Sequence, residues 1–473
     1  SSDVCSSDLL QEGMDLTTTY KTSPVSLASG IMLGAEAVRE FKVMTTNFTA
    51  EFGEQSGGTV NILFKSGTNQ LHGSLYEYYR NSTFDARNFF DLAPGQTSPP
   101  PFKRNQFGGS LGGPIRKDKT FFFANFEGYR SDLSLSDVAN VPDDNARLGK
   151  LPTGTVTVSP DVFNIFFGGA NPLYPHCNTT ESAGVGLCRY YSSPVESITE
   201  NYYLGKIDHI FNEKNNLSFS YNLDDSSKFS PSAIGVTADD RLARRNTFTL
   251  QDTHIISPSM INTARVGLNR TYYNDEKVTL NGDFTPGTDR IDPRLFPYKL
   301  SVPCAAVCTG QGANFPSGVA TPLPVISFNF GMTQFAGSAT DFNFAPRWIG
   351  YTSGLLGDDV NLTRGKHSMQ FGAQMKRWYD NMAQYRGNPL GAYTFSTLQT
   401  FLSGGPALTY NQDLITLPTS SYGRSWRQQL FGLYAQDTYR IRPNLTLTYG
   451  IRWEYVPGPT EKHGRIGNLN KIG

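Results

Sequence analysis

The sequence contains no long apolar run. None of its 473 residues lies in a stretch that approaches the roughly 20 consecutive apolar residues of a membrane-spanning helix. If the chain crosses a membrane it must therefore use strands, because only helices and closed barrels satisfy every backbone group in lipid. Residues 1–9 also lack the basic start and the apolar core of a signal peptide.

Charged residues are scarce and balanced. They make up 17% of the sequence, and 41 basic side chains offset 41 acidic ones. This composition lacks the basic surface of a nucleic-acid-binding protein and the high net charge of a disordered chain. We therefore expect a folded protein without a nucleic-acid partner.

Residues that could carry catalytic or metal chemistry are few. The six histidines are scattered, without the His-x-x-x-His or paired-cysteine spacing of metal sites. The segment 108–112 fits the G-x-S-x-G pattern of serine hydrolases, but that motif needs a strand–turn–helix context, and here a strand-like run continues around it. We expect no catalytic residue, no metal site and no cofactor, and therefore a protein that is not an enzyme.

Cysteine is also rare, with five residues. Apart from Cys5, the cysteines form two local pairs, Cys177 with Cys188 and Cys304 with Cys308. An even number of cysteines close in sequence suggests small disulfides formed in an oxidising compartment. Four free thiols are the alternative reading.

Strict alternation of apolar and polar residues is the strongest positive signal. Side chains of a strand point alternately to its two faces, so such a run has one apolar and one polar face. The run 445–455 predicts lipid-facing positions at Leu445, Leu447, Tyr449, Ile451 and Trp453. The same run, with a second one at 367–381, predicts lumen-facing positions at Gln370, Gln374, Thr446, Thr448, Arg452 and Glu454.

The connections between the predicted strands differ in length in a regular way. Tight turns rich in Pro, Gly, Asn and Ser alternate with long connections, notably 132–199, 275–345 and 382–427. Short turns at one end and long loops at the other are typical of outer-membrane barrels, whose strands span about 25 Å of apolar membrane. An odd strand count implies further strands outside this sequence, because bacterial barrels close with even numbers. We predict eleven antiparallel strands, near 71–81, 103–113, 120–131, 200–211, 216–228, 243–256, 260–274, 346–362, 367–381, 428–441 and 445–458.

Residues 36–68 carry a more specific pattern. A strand that ends at Val43 is followed by a Phe-Gly element, a glycine pair and a Val-Asn-Ile strand, and the positions concerned are Phe52, Gly53, Gly57, Gly58, Val60 and Asn61. This pattern resembles the end of the plug domain of TonB-dependent outer-membrane receptors. The segments 72–81, 105–115 and 120–128 look like the first barrel strands of the Oar-like branch of that family.

The resemblance implies an all-β fold, namely part of an antiparallel transmembrane barrel preceded by the C-terminal part of an α+β plug domain. We assign residues 1–10 to a non-native scar, 11–69 to the plug, and 70–473 to the N-terminal half of the barrel with long extracellular loops. We expect the plug segment to lie inside the arc of strands. Its glycines should allow positive φ and close backbone approach, and its polar residues Glu54, Gln55 and Asn61 should pair with wall residues such as Gln374 and Arg452.

The resemblance also implies a function and a location. The parent protein would be a TonB-dependent transporter of a Gram-negative-type outer membrane, in contact with outer-membrane lipid and with an unknown extracellular ligand. A TonB-type energy-transducing protein would act through an N-terminal region outside this sequence, so this fragment alone is not expected to transport. A non-transporting surface adhesin barrel and a secreted all-β carbohydrate-active protein are the alternatives. Siderophores, cobalamin, oligosaccharides and peptides all fit as ligands.

Overall fold

The structure is a computed structural model of the whole chain. It describes residues 8–16, 27, 29–30, 33–44, 49–53, 58–89, 97–168, 172–235, 237–279, 325–334, 347–384, 392–405, 407, 409–411 and 423–465. Among these residues, no helix combines the length and the hydropathy that crossing a bilayer requires.

Strands dominate the described part of the chain. In chain order they are β1 (Asp8–Gln11), β2 (Met14–Asp15), β3 (Val38–Met44), β4 (Thr59–Phe64), β5 (His72–Asn81), β6 (Phe102–Arg116), β7 (Thr120–Ser134), β8 (Asp137–Pro142), β9 (Lys150–Leu151), β10 (Gly154–Thr155), β11 (Ser182–Gly184), β12 (Leu187–Ser192), β13 (Val195–Asn212), β14 (Asn215–Pro231), β15 (Thr237–Ser257), β16 (Met260–Thr279), β17 (Val325–Phe328), β18 (Arg347–Arg364), β19 (His367–Gln384), β20 (Ala392–Phe395), β21 (Thr409–Asn411), β22 (Gly423–Arg442), β23 (Leu445–Tyr455) and β24 (Thr460–Glu461). The helices are short: α1 (Asp144–Arg147), α2 (Pro160–Val162), which continues as a π-helical turn at Phe163–Phe167, and α3 (Leu398–Leu402), with 3₁₀ turns at Ala35–Ala37 and Ser82–Phe84.

Eleven long strands form one antiparallel sheet, which we call the wall. Its order follows the sequence, β5-β6-β7-β13-β14-β15-β16-β18-β19-β22-β23, and the short β24 adds to β22. Each strand pairs with its neighbour along the chain apart from the intervening cap elements, and β5 and β23 form the two edges. The all-β antiparallel fold and the eleven strands predicted from alternation are confirmed.

Most wall strands extend further than the sequence predicted at the end next to the long connections, whereas β5 and β23 are shorter than predicted. β13 begins at Val195 rather than near 200, and β15 begins at Thr237 rather than near 243. Above the membrane both faces of a strand meet water or other protein, so the ladder of backbone hydrogen bonds can continue without an alternating pattern. The extra residues of β15, Thr-Ala-Asp-Asp-Arg-Leu, show no such alternation.

The tight turns all lie at one end of the wall. They join β6 to β7, β13 to β14, β15 to β16, β18 to β19 and β22 to β23, each with two or three residues between the strands. Because the strands run up and down in sequence order, the described parts of the three long connections lie at the opposite end. The predicted placement of the three long connections at one end is therefore confirmed for the described residues, although the connection from β14 to β15 at the same end has only five residues.

A second, smaller sheet precedes the wall, and we call it the plug (described residues between 8 and 64). Its order is β2-β1-β4-β3, with β1 parallel to β4 and β3 antiparallel to β4. Asp8, Leu9 and Leu10 pair with Thr59, Val60 and Asn61. The exclusion of residues 1–10 from the fold is thus wrong for its last three residues, since backbone pairing, which the sequence pattern does not reveal, makes them part of the plug.

Candidate functional site

The plug packs on the inner face of the wall through an apolar core. Ile62 and Phe64 of β4 are almost fully buried, at 1% and 2% exposure. They belong to one cluster with Phe123 of β7 and with Tyr202 and Leu204 of β13. Burial of each such side chain contributes about 1.5–3 kcal/mol. The plug is therefore anchored to the wall before any polar contact is counted.

A buried ion pair adds to this anchor at the turn between β1 and β2. The Glu12 Oε1 atom lies 2.9 Å from the Lys206 Nζ atom of β13, and the two side chains are 15% and 6% exposed. Glu12 Oε1 also accepts a hydrogen bond from the Phe64 backbone N–H at 2.7 Å. The ammonium group of the wall thus bonds the same carboxylate that ties β1 to β4.

The same turn reaches two further wall strands. The Asp15 carboxylate lies 3.9 Å from the Lys376 ammonium group of β19. Gly13 has a φ of +78°, and a Cβ placed there would lie 3.2 Å from the Arg265 side chain of β16. The turn and the adjoining β2 therefore contact β13, β16 and β19, which places them deep against the inner face.

The Gly34 backbone lies close against the wall. Its N–H donates to Glu127 Oε2 at 2.8 Å, and the other carboxylate oxygen accepts from Gln106 Nε2 at 2.6 Å. Its φ is +87°, and a Cβ would meet the Tyr202 ring at 2.5 Å. This position requires glycine both for its backbone angle and for space. Sequence analysis missed it, although a glycine just before a short helical turn was the available signal.

The segment 49–53 contacts the far side of the wall. Arg452 Nη1 donates to the Ala50 and Glu51 carbonyl oxygens at 3.2 and 3.0 Å. The Ala50 N–H donates to Gln436 Oε1 at 2.7 Å, and Gln370 Nε2 donates to Glu51 Oε2 at 2.8 Å. The plug therefore bridges the wall from β7 and β13 on one side to β19, β22 and β23 on the other.

The structure brings some predicted plug residues into this interface. A Cβ on Gly53 would collide with Glu454 and Arg452, so close approach requires glycine there. The expected positive φ is wrong for Gly53. Phe52 lies under the Lys42 ammonium group, 5.9 Å from the ring centroid, and Val60 is half-buried in β4. Gly57 lies outside the described residues.

The expected polar partners of the plug are partly wrong. Asn61 Oδ1 accepts from the Gly13 N–H at 3.3 Å, so it pairs within the plug rather than with Gln374 or Arg452. A turn of the plug's own chain lies nearer than the wall, and that order in space is not visible in the sequence. Glu54 and Gln55 lie outside the described residues.

Predicted inward positions of the wall fall on the face that carries the plug. Gln370 and Arg452 bond the segment 49–53, and Glu454 accepts from Arg452 Nε at 2.7 Å. Gln374 lies on the same face of β19 as Gln370, opposite Gly432. Thr446 and Thr448 share the face of Arg452 but are exposed, and Thr448 bonds the Thr438 hydroxyl at 3.2 Å.

Predicted outward positions of β23 fall on the opposite face and contact nothing of the plug in the described residues. Their exposures run from 49% to 73%, at Leu445, Leu447, Tyr449, Ile451 and Trp453. The Tyr449 hydroxyl donates to Asp437 Oδ2 at 2.8 Å, and the Trp453 and Tyr455 rings stack with centroids 6.3 Å apart.

At the other end of the wall, the long connections fold into one body, which we call the cap (described residues 135–168, 172–194, 325–334 and 392–411). β8 and β12 of the first connection pair with each other, and β17 of the second pairs in parallel with β20 of the third. The first two connections also bond each other, since the Asn140 N–H donates to Thr333 Oγ1 at 2.7 Å. The three connections therefore form a single unit.

The cap has its own hydrophobic core. Phe166 of the first connection, Phe328 of the second and Phe395 of the third each pack on Phe401, with ring centroids 5.1–5.3 Å apart. Cys177 and Cys188 form a disulfide within the first connection, whereas Cys304 and Cys308 lie outside the described residues. The sequence did not predict this core, because its aromatic residues come from three connections that are far apart in the sequence.

The buried Arg147 side chain of the cap is held by carbonyl oxygens. Arg147 is 4% exposed and donates to the carbonyl oxygens of Pro142, Tyr174 and Pro175, and its guanidinium lies 5.2 Å from the Phe167 ring centroid. Burial lowers the pKa of the Arg147 guanidinium and raises that of the Tyr174 phenol. No group of His, Cys, Asp or Glu side chains in the described part of the chain is arranged to hold a metal ion.

A wall of up-and-down strands with a plug on its inner face and a cap at one end defines a plugged outer-membrane β-barrel. The chain matches the outer membrane beta barrel domain family over residues 63–472 and belongs to that family. It is accordingly a protein of the Gram-negative outer membrane.

Two known proteins are similar to it. The chain is 27% identical to the TonB-dependent transporter Oar of Myxococcus xanthus over 199 residues, which cover 40% of this chain and 16% of Oar. The resemblance to the Oar-like branch is thereby confirmed. The outer membrane transporter YddB from Escherichia coli has a similar fold, with a TM-score of 0.51 at 12% identity, covering 96% of this chain and 50% of YddB. The chain thus spans half or less of the length of these relatives.

Membership of this family makes the outward face of β23 testable. Ile451 lies six residues from the tight-turn end of its strand, roughly 14 Å along the membrane normal at the usual rise and tilt, which is close to mid-membrane. Replacing Ile451 by Lys should cost about 2–4 kcal/mol of folding free energy in lipid, and replacing Leu445 by Lys at the membrane boundary about 0–1 kcal/mol. Urea unfolding in lipid vesicles measures both. Equal losses of folding free energy at the two positions would contradict the assignment of this face of β23 to lipid.

Proposed function

We propose that this protein acts as a TonB-dependent outer-membrane transporter, in which the plug closes the barrel until an energy-transducing protein of the inner membrane displaces it. The observation that carries the proposal is the docking of a separate small sheet across the inner face of the wall, from β7 to β23. A barrel that served only as a surface adhesin would not need such an element.

The nature of the plug–wall interface supports a displaceable plug. Besides apolar contacts, such as the cluster around Ile62 and Phe64 and Met14 against Gly267, the interface contains hydrogen bonds and ion pairs to wall side chains. Water can replace such bonds when the plug moves, so their net contribution is small, about 0.5–1.5 kcal/mol for each neutral hydrogen bond. An entirely apolar interface would resist hydration much more strongly.

The cap supplies the ligand-capturing part of the proposal. It lies at the end opposite the tight turns, which in outer-membrane barrels is the extracellular end. Binding residues are commonly carried by connecting segments positioned on a rigid scaffold. We therefore assign first contact with an extracellular ligand to the cap, and passage of that ligand to the plug–wall interface.

A cysteine lock tests this function. A Cβ placed on Gly450 of β23 would lie 3.1 Å from the Ala50 Cβ atom, so cysteines at both positions of the intact protein should form a disulfide that links the plug to β23. On a panel of nutrients under limitation, a strain without the protein and a strain without TonB should share a growth defect on one of them. The oxidised Ala50→Cys/Gly450→Cys variant should show the same defect, because its plug cannot leave the wall.

Each single-cysteine variant is the control, and reduction of the double variant should restore growth. Growth of the oxidised double variant at the wild-type level would contradict transport through plug displacement. The absence of a defect shared with the TonB-deficient strain would favour the adhesin alternative instead.

A further inference from the structure

The outward face of the wall ends in a row of arginines. In β16 the outward residues Ala264, Val266 and Leu268 precede Arg270, and in β19 an apolar outward run precedes Arg377. Arg130, Arg270 and Arg377 each lie ten residues after the first residue of their strands, counted from the tight turn. Ten residues correspond to roughly 23 Å of height at the usual rise and tilt, close to the full 25 Å of the apolar band. These guanidinium groups therefore mark the extracellular edge of the lipid-facing surface.

Part of this edge forms a groove on the outward face of β13 to β16. The groove has a volume of about 760 Å³, and its lining includes Asn201, Asp225, Arg244, Asn246, Arg270 and Tyr272. Arg130 lies beside it and donates to Asn201 Oδ1 at 2.7 Å. Three arginines and one aspartate leave an excess of positive charge at the height where lipid headgroups lie.

The donors in the groove differ in how they are held. Arg244 Nε and Nη2 each donate to the Asp225 carboxylate at 2.9 Å, which fixes the plane of its guanidinium and leaves other N–H groups of Arg244 available. Asn246 Oδ1 accepts from the Tyr221 hydroxyl at 2.8 Å, which leaves its amide N–H groups available. Arg270 is exposed and makes no hydrogen bond or ion pair with any described residue.

We propose that this groove binds a phosphate group of the phosphorylated glycolipid of the outer leaflet. Guanidinium groups match phosphate oxygens in geometry and charge, and a free Arg270 beside a fixed Arg244 offers two converging sets of donors. Tyr272 adds an amphipathic ring of the kind that lies at the membrane interface. This inference rests on the location of the protein in the outer membrane and does not depend on transport.

Lipid binding to the intact protein, purified in detergent from outer membranes, tests the proposal. Native mass spectrometry would measure the affinity for diphosphorylated lipid A and for the same lipid after removal of its phosphates. The Arg244→Gln/Arg270→Gln variant should bind the phosphorylated lipid at least about tenfold more weakly, because it loses the charged hydrogen bonds to the phosphate oxygens. Wild-type protein should bind the dephosphorylated lipid as weakly as this variant binds the intact lipid.

Two further variants separate the site from general charge and from misfolding. Arg364→Gln removes the same charge at the tight-turn end of the wall, where the side chain is exposed, and should leave the affinity unchanged. Arg270→Lys keeps the charge and should retain part of the affinity. Equal affinities of the wild type and the double variant would overturn the proposal, as would equal affinities for the lipid with and without phosphate. Competition by inorganic phosphate at the same concentration as the lipid would overturn the assignment to a glycolipid.

Discussion

Replacing Lys206 by Met should lower the free energy of plug opening by about 3–5 kcal/mol. This is the usual cost of removing one partner of a buried ion pair. The variant leaves the Glu12 carboxylate buried, with the Phe64 N–H as its remaining partner. Hydrogen exchange of the amides of β4 (Thr59–Phe64) measures the effect, since these strand amides exchange only when the plug opens.

A double variant separates the ion pair from simple loss of packing. Glu12→Gln keeps an oxygen that can accept from Phe64, and together with Lys206→Met it removes both charges. Replacing both partners of a buried ion pair by neutral residues often changes the stability little. The double variant should therefore recover most of the lost hydrogen-exchange protection of β4. Lys214→Met, in the exposed turn after β13, is the matched control and should change the protection of β4 by less than about 0.5 kcal/mol. Unchanged protection in the Lys206→Met single variant would contradict the anchoring role of this pair.

Replacing Phe401 by Ala should destabilise the whole cap, by about 3–5 kcal/mol, because the ring is fully buried and its loss leaves a cavity. Phe401 lies on the third connection, but its ring packs on Phe166 of the first and on Phe328 of the second. If the cap is one cooperative unit, hydrogen exchange should increase in all three connections together. Phe163→Ala is the control. That ring is 42% exposed, so its removal should destabilise the cap much less.

An increase in exchange confined to the residues around α3 would contradict a cooperative cap. The three connections would then be independent loops that merely touch. The distinction matters for the proposed function, because a cooperative cap presents one preformed binding surface, whereas independent loops would each have to be ordered by the ligand at a cost in free energy.

Local patterns in the sequence were sufficient for the wall. The alternation from Leu445 to Tyr455 predicts both the strand and its two faces, because side chains of a strand alternate whatever surrounds it. The tight turns were equally readable, because Pro, Gly and Asn impose backbone angles locally. Where the alternation stops, as in the first residues of β15, the sequence predicted too short a strand. Backbone pairing continues there because neither face of the strand has to be apolar outside the membrane.

The partners of the plug and the existence of the cap were decided by tertiary structure alone. Glu12 and Lys206 are separated by 194 positions, and nothing in the sequence around either residue indicates the other. The same holds for the rings around Phe401, which belong to three connections that the sequence presents only as long loops. Alternation and turn chemistry are local properties of the chain, and they determined the strands. Which strand faces meet, and which loops share a core, depends on how the ladder of strands brings distant segments together.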